Sequence, residues 1–232
     1  MIQIRKASER GHADHGWLNT YHTFSFASYF DPEYIQFRDL RVMNEDRVQP
    51  GMGFGRHPHR NMEIITYVLE GQLAHQDSMG NGSTINYGDV QRMTAGTGVE
   101  HSEKNPSHKE HVHFYQIWII PEKNGLTPGY EQKHFTAEQK KGDWLLFASP
   151  DGSGESLKIH QDVKLWATII EESNERTYDL DINRHAWVQI TRGEVELNGK
   201  ALFESDGAAI SAETSLHFKA NKESEILLFD LR

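Results

Sequence analysis

The chain has no cysteine among its 232 residues. Disulfides and thiolate ligands are therefore excluded, and any metal must be held by histidine, carboxylate or water. The same absence fits a reducing compartment. Runs of Lys and Arg are also missing: 24 basic residues are scattered among 34 acidic ones, for a net charge of −10. Direct nucleic-acid binders usually carry a basic stripe that neutralises phosphate, so neither DNA nor RNA is an expected partner. No stretch approaches the roughly 18 apolar residues of a membrane span. Met1–Arg10 mixes charged and apolar residues and has no apolar signal core. These absences predict a cytoplasmic protein without membrane contact. Helical periodicity is scarce as well.

What is present is a succession of short β-prone runs separated by Gly, Asn and Asp. Met62–Leu69, Val112–Ile120, Leu165–Ile170, Ala186–Ile190 and Glu225–Leu231 are examples. Such spacing predicts an all-β barrel or sandwich. A weak internal repeat points to two copies. Tyr67 to Leu73, Tyr87-Gly88-Asp89 and Thr97 to His101 in the first half recur as Val188 to Val195, Ser205-Asp206-Gly207 and Thr214 to His217. Each half reads as strand, Gly turn, strand, Gly/Asp turn and a later His. The boundary is expected between Asn124 and Asp143, giving domains 1–130 and 131–232.

The histidines are unevenly spread, with ten of 14 in the first 113 residues. Two segments stand out. One runs from Gly51 through His57-Pro58-His59 to Glu63. The other runs from Gly96 through His101 and Glu103 to Asn105. Residues i and i+2 of a strand share a face. His57 and His59 therefore aim into one space, and so do His101 and Glu103. Four N/O donors on facing strands suit Fe, Mn, Co, Ni, Cu or Zn. Pro58 cannot donate to a ladder and belongs at a sheet edge or an irregular stretch. The glycines at 51, 53 and 55 permit close backbone packing.

Other residues compete for notice. His111 and His113 also share a face but lack a Gly-rich approach, which favours a structural role. Arg60, His22 and Phe54 are candidates to line the pocket or to be structural. His160, His185 and His217 are isolated in sequence, so no metal is expected in the second domain, where Trp166 and Trp187 read as core aromatics.

The two segments resemble the paired motifs of the cupin superfamily. Gly51, His57-Pro58-His59, Glu63 and Gly71 match the first, with Gly71 one residue late. Gly88, Gly98, His101 and Asn105 match the second, although Gly96 stands where that motif has Pro and the gap after Gly88 is longer. The wording is closer still to the pirin family. Thr23 to Phe26, Asp31-Pro32, His57 to Arg60, Tyr67 to Gly71, Gly88 to Gln91, Met93 to Gly96 and His101 to Glu103 carry that resemblance, which spans nearly the whole chain.

The resemblance implies two jelly-roll barrels in one chain, a bicupin. It implies one divalent transition metal on His57, His59, His101 and Glu103 in the first barrel, with iron the first choice. The second barrel is expected to be degenerate and metal-free. In many other cupins the first-motif glutamate is a ligand. Glu103 is preferred here because it shares a face with His101, which leaves Glu63 as an outer partner. Some pirins are quercetin 2,3-dioxygenases that release carbon monoxide. That activity implies an aromatic substrate, dioxygen and Glu103 as general base. The alternative is a metal-containing binding or regulatory protein with a protein partner, which an acidic surface suits.

Overall fold

The computed structural model describes residues 1–232. Nearly all regular structure is β, with one short α-helix at Ala137–Gly142 and two 3₁₀ turns. The chain divides into two compact units. One contains residues 11–134 and 159–161; the other contains 1–10, 135–158 and 162–232. The main cut falls at 134/135, beside the expected 130/131. Two short segments depart from a division into halves. Ile2–Arg5 pairs antiparallel with Gly207–Ser211 in the second unit, and residues 159–161 belong to the first. His160 therefore lies in the metal-motif unit and not in the second barrel, where the sequence reading set it.

Each unit is built on one plan. In the first, a seven-stranded sheet orders its strands as Gly129–His134, Asp89–Thr94, Glu63–Glu70, Val112–Ile119, Leu40–Val48, Leu18–His22 and Gly11–Asp14. A four-stranded sheet orders Gly53–His59, Val99–Lys104, Gln72–Asp77 and Gly82–Asn86. In the second unit the seven-stranded sheet is Ile2–Arg5, Gly207–Ser211, His185–Arg192, Ser224–Leu231, Val163–Ile170, Leu145–Ser149 and Leu157–Lys158. Its four-stranded partner is Glu175–Asp179, Ser215–Ala220, Glu194–Leu197 and Lys200–Phe203.

The cores lie between the paired sheets. Val48, Val68, Val112 and Phe114 of the large sheet meet Leu73 and Ile85 of the small one. In the second unit Val188, Ile190, Ile226 and Leu228 meet Val195, Leu197, Leu216 and Phe218. Central strands such as Glu63–Glu70 are β-branched and aromatic and are buried on both faces, as strands covered on both sides should be. Ser215–Ala220 alternates exposed and buried residues, as a strand with one wet face should.

The repeat is real in topology but slips by one residue at its last landmark. Gly71 and Gly193, both at positive φ, link the corresponding strands. Counting from them, Glu103 opposite His75 corresponds to Phe218 opposite Leu197. His101 then corresponds to Leu216, which pairs with Tyr178 where His101 pairs with His57. His217 sits one position away, on the exposed face, beside Glu175. A one-residue shift moves a side chain across the sheet, so matching His217 to His101 by sequence order is corrected. Tyr178, Leu216, Phe218 and Leu197 are all part of the second core or packed against it. Trp187 is buried, and Trp166 is partly buried against that core.

Gly96 takes a backbone conformation that the cupin proline could not adopt. Its φ is +46°, and an added Cβ would lie 1.9 Å from the Leu126 carbonyl oxygen. Gly16 also has positive φ, +79°, but open space around it. Gly16→Ala should cost about 1 kcal/mol from backbone strain alone. Gly96→Ala adds a backbone clash and should cost on the order of 3 kcal/mol or more. Denaturant midpoints of the two variants provide the comparison.

Candidate metal centre

Three strands of the small N-terminal sheet present the histidines. Gly53–His59 is the edge strand, so Pro58 costs no ladder bond on its free side. His57 lies opposite His101, and His59 lies opposite Val99. The register shifts between His101 and Glu103, bringing Glu103 opposite Phe54. Such a bulge re-aims a side chain where a site needs it. Gly53 is required by close approach: a Cβ there would lie 2.2 Å from the Glu103 carbonyl oxygen.

The imidazoles converge. His57 Nε2 is 3.0 Å from His101 Nε2. Ring centroids of His57, His59 and His101 are 4.4–4.8 Å apart. His57 Nδ1 lies 2.7 Å from the Gly55 carbonyl oxygen, which can only accept. The neutral ring therefore carries its proton on Nδ1 and turns a bare Nε2 lone pair toward His101. Two nitrogens about 2.1 Å from one ion, at right angles, would stand about 3.0 Å apart. Burial holds His59 down to about 4, with His57 adding to the effect. His101 is pushed down to about 2 by burial first, then by His57, His59 and His75. Neutral imidazole is the form that ligates. This donor set fits a divalent transition ion.

Glu103 is buried, and burial raises its carboxyl to about 7. Gln116 Nε2 donates to both its oxygens at 3.2 Å. Glu103, His101 and His75 bring ligand atoms within 4.8 Å of one another, as do His57, His59 and His101. His101 belongs to both groups. A cavity of about 160 Å³ opens beside them. Leu18, Phe26, Phe54 and Trp118 form its apolar wall, and His22, Asp46 and Gln116 are among its polar groups. Asp46 is buried, and burial pushes its carboxyl up to about 7.

The remaining sequence candidates separate cleanly. His22 and Phe54 line this cavity, whereas Arg60 lines a shallower depression with His59 and Gly98. Glu63 is fully buried, and its Oε2 accepts from the His160 backbone N–H at 3.2 Å. The expectation of Glu63 as an outer partner of the histidine cluster is thus replaced by a link to residues 159–161. His113 Nε2 is 2.9 Å from Glu45 Oε1 in the core, and Tyr115 donates to the same carboxylate. His111 is exposed. His185 Nδ1 meets Ser211 Oγ at 2.7 Å. Sequence reasoning missed His75, Asp46 and Gln116. Only His75 had a signal, the same-face spacing of His75-Gln76-Asp77.

Comparison with known proteins accords with this geometry. The pirin family model matches residues 3–119, and a model described as the quercetinase C-terminal cupin domain matches residues 146–231. The chain belongs to the pirin family. A quercetin 2,3-dioxygenase of Escherichia coli K12 is 51% identical over 231 residues, covering 100% of this chain and 99% of the relative. A pirin-like protein of Caulobacter vibrioides is 38% identical, covering 99% of each. Among solved structures, the E. coli pirin YhhW in complex with nickel(II) has a TM-score of 0.95 at 49% identity, covering 100% of this chain and 99% of that one. The two barrels are accordingly the two cupin domains of a pirin-family bicupin.

If the two His-x-His pairs differ in kind, their variants should differ too. His113→Ala should leave metal stoichiometry unchanged while lowering stability by about 1–3 kcal/mol, because the buried Glu45 loses a partner. Metal analysis alongside thermal unfolding tests both halves of that statement.

Proposed function

We propose that the protein is a metal-dependent dioxygenase that opens a flavonol such as quercetin at its 2,3 bond. Dioxygen is consumed, and the products are a depside and carbon monoxide. The observation that carries this reading is the convergence of His57, His59 and His101 beside an apolar-walled cavity, in a chain 51% identical to a quercetin 2,3-dioxygenase. His57, His59, His101 and Glu103 hold one divalent transition ion, with iron the first choice among Fe, Zn, Co, Mn, Ni and Cu. When bound, that ion supplies Lewis-acid stabilisation of the flavonol 3-oxyanion.

The chain's own residues do the rest. The Glu103 carboxylate accepts the 3-hydroxyl proton at one oxygen and acts as general base. Gln116 Nε2 lies within hydrogen-bond distance of both Glu103 oxygens and holds the carboxylate in place as its charge changes. Phe26, Phe54 and Trp118 offer flat apolar surface to a planar ring. The cavity, about 160 Å³, is below the roughly 300–1,000 Å³ of drug-sized sites. A flavonol would seat one ring system inside and leave the remainder at the mouth.

A second reading is a metal-containing regulatory protein that acts through a protein partner. It is favoured by the net charge of −10 and by the apolar filling of the second barrel at the positions of the first barrel's donors.

The two readings diverge in one experiment. The protein is reconstituted anaerobically with each of the six metals, and quercetin is then added in air. Loss of flavonol absorbance with carbon monoxide release is expected, and it should vanish in His59→Ala and Glu103→Ala. A fully metallated protein without turnover would sink the dioxygenase reading in favour of the regulatory one.

A further inference from the structure

His75 and Asp77, whose side chains are both shielded from solvent, have no part in the reaction described above, yet they stand directly behind His101. The strand Gln72–Asp77 pairs with Val99–Lys104 so that His101 faces Asp77 and Glu103 faces His75. All four side chains share one face. His101 Nδ1 is 3.4 Å from His75 Nδ1, and His75 Nε2 is 3.3 Å from Asp77 Oδ2. His75 and His101 are both buried, and their rings are 5.2 Å apart. We propose that His75 and Asp77 are positioning residues that fix the tautomer and ring orientation of His101 for metal binding.

Donor accounting supports the assignment. A neutral His101 that ligates through Nε2 must carry its proton on Nδ1. The acceptor within reach is His75 Nδ1. That places the His75 proton on Nε2, where Asp77 Oδ2 accepts it. Asp77 is in turn held by its turn. Its Oδ1 accepts from the Met79 and Asn81 backbone amides at 2.9 and 3.0 Å, and its Oδ2 accepts from Asn81 Nδ2 at 2.8 Å. The chain from a backbone-anchored carboxylate to a ligand nitrogen thus closes with one proton per link. A carboxylate or carbonyl behind a ligating histidine usually does this alone. Here a second imidazole is interposed, so the carboxylate acts from one ring further away. Its negative charge polarises His101 through the His75 ring.

This inference rests on His101 being a ligand, so the test separates the two claims. Affinity is measured by chelator competition with Co(II), and the visible Co(II) spectrum is recorded, for wild type, His101→Ala, His75→Leu, His75→Gln and Asp77→Asn. Neither readout depends on turnover. His75→Leu should bind Co(II) about 10–100-fold more weakly with a shifted spectrum. His75→Gln, whose side-chain carbonyl can accept from His101, should recover most of both. Asp77→Asn keeps an oxygen for the turn amides and should fall between. If His75→Leu does not fold, the latter two variants decide by the same readouts. Wild-type affinity and spectrum in all His75 and Asp77 variants that fold, with binding lost in His101→Ala, would overturn the relay alone. Unchanged binding in His101→Ala would overturn the ligand assignment beneath it. Two ions per wild-type chain, falling to one in His75→Leu, would also overturn the relay, because His75 would then itself be a ligand.

Discussion

The register of the strand Val99–Lys104 holds the N-terminal barrel's chemistry in place. It is hydrogen-bonded on one edge to Gly53–His59 and on the other to Gln72–Asp77. One pairing sets His101 against His57; the other sets His75 and Asp77 behind His101. Because side chains alternate across a sheet, a slip of one residue on this strand would turn His101 and Glu103 out of the barrel together. The buried neighbours Val99 and the bulge before Glu103 resist that slip. Position and chemistry therefore share one cause.

The second barrel shows the same frame with the chemistry removed. Its inward positions on the matching strands hold Tyr178, Leu216, Phe218 and Leu197. Burying imidazoles and a carboxylate is costly unless they are paired or bind an ion. The first barrel bears that cost, visible in the raised carboxyls of Glu103 and Asp46. The second avoids it by filling the same space with Leu197, Leu216, Phe218 and the ring of Tyr178, whose hydroxyl donates to Asp230, so that burial free energy is supplied directly.

Legibility in the sequence followed the range of the interaction. The closeness of His57 to His59, and of Glu103 to His101, was legible because each pair lies two residues apart on one strand, a purely local relation. The all-β class was readable for the same reason, from short β-branched runs and Gly turns. Asp46 and Gln116 were not, because strand register alone brings them to the cavity, and register is set by long-range pairing. His217 misled because order along the chain does not record which face a residue takes. The pairing of Ile2–Arg5 with Gly207–Ser211 had no signal either, since nothing in four residues names a partner some two hundred positions away.

That last pairing has a bearing on how the protein is made. On the ribosome Ile2–Arg5 emerges long before the strand it pairs with. Residues 11–134, nearly all of the unit that carries the histidine cluster, are synthesised before Gly207 exists. Until then Ile2–Arg5 trails as an open strand edge, the kind of surface that recruits other chains. Its last residue, Arg5, and the residue after it, Lys6, are cationic, and charge at an exposed edge is a known deterrent to such pairing. Ile2–Arg5 is thus a strand held in reserve, carrying its own protection until Gly207–Ser211 has been made.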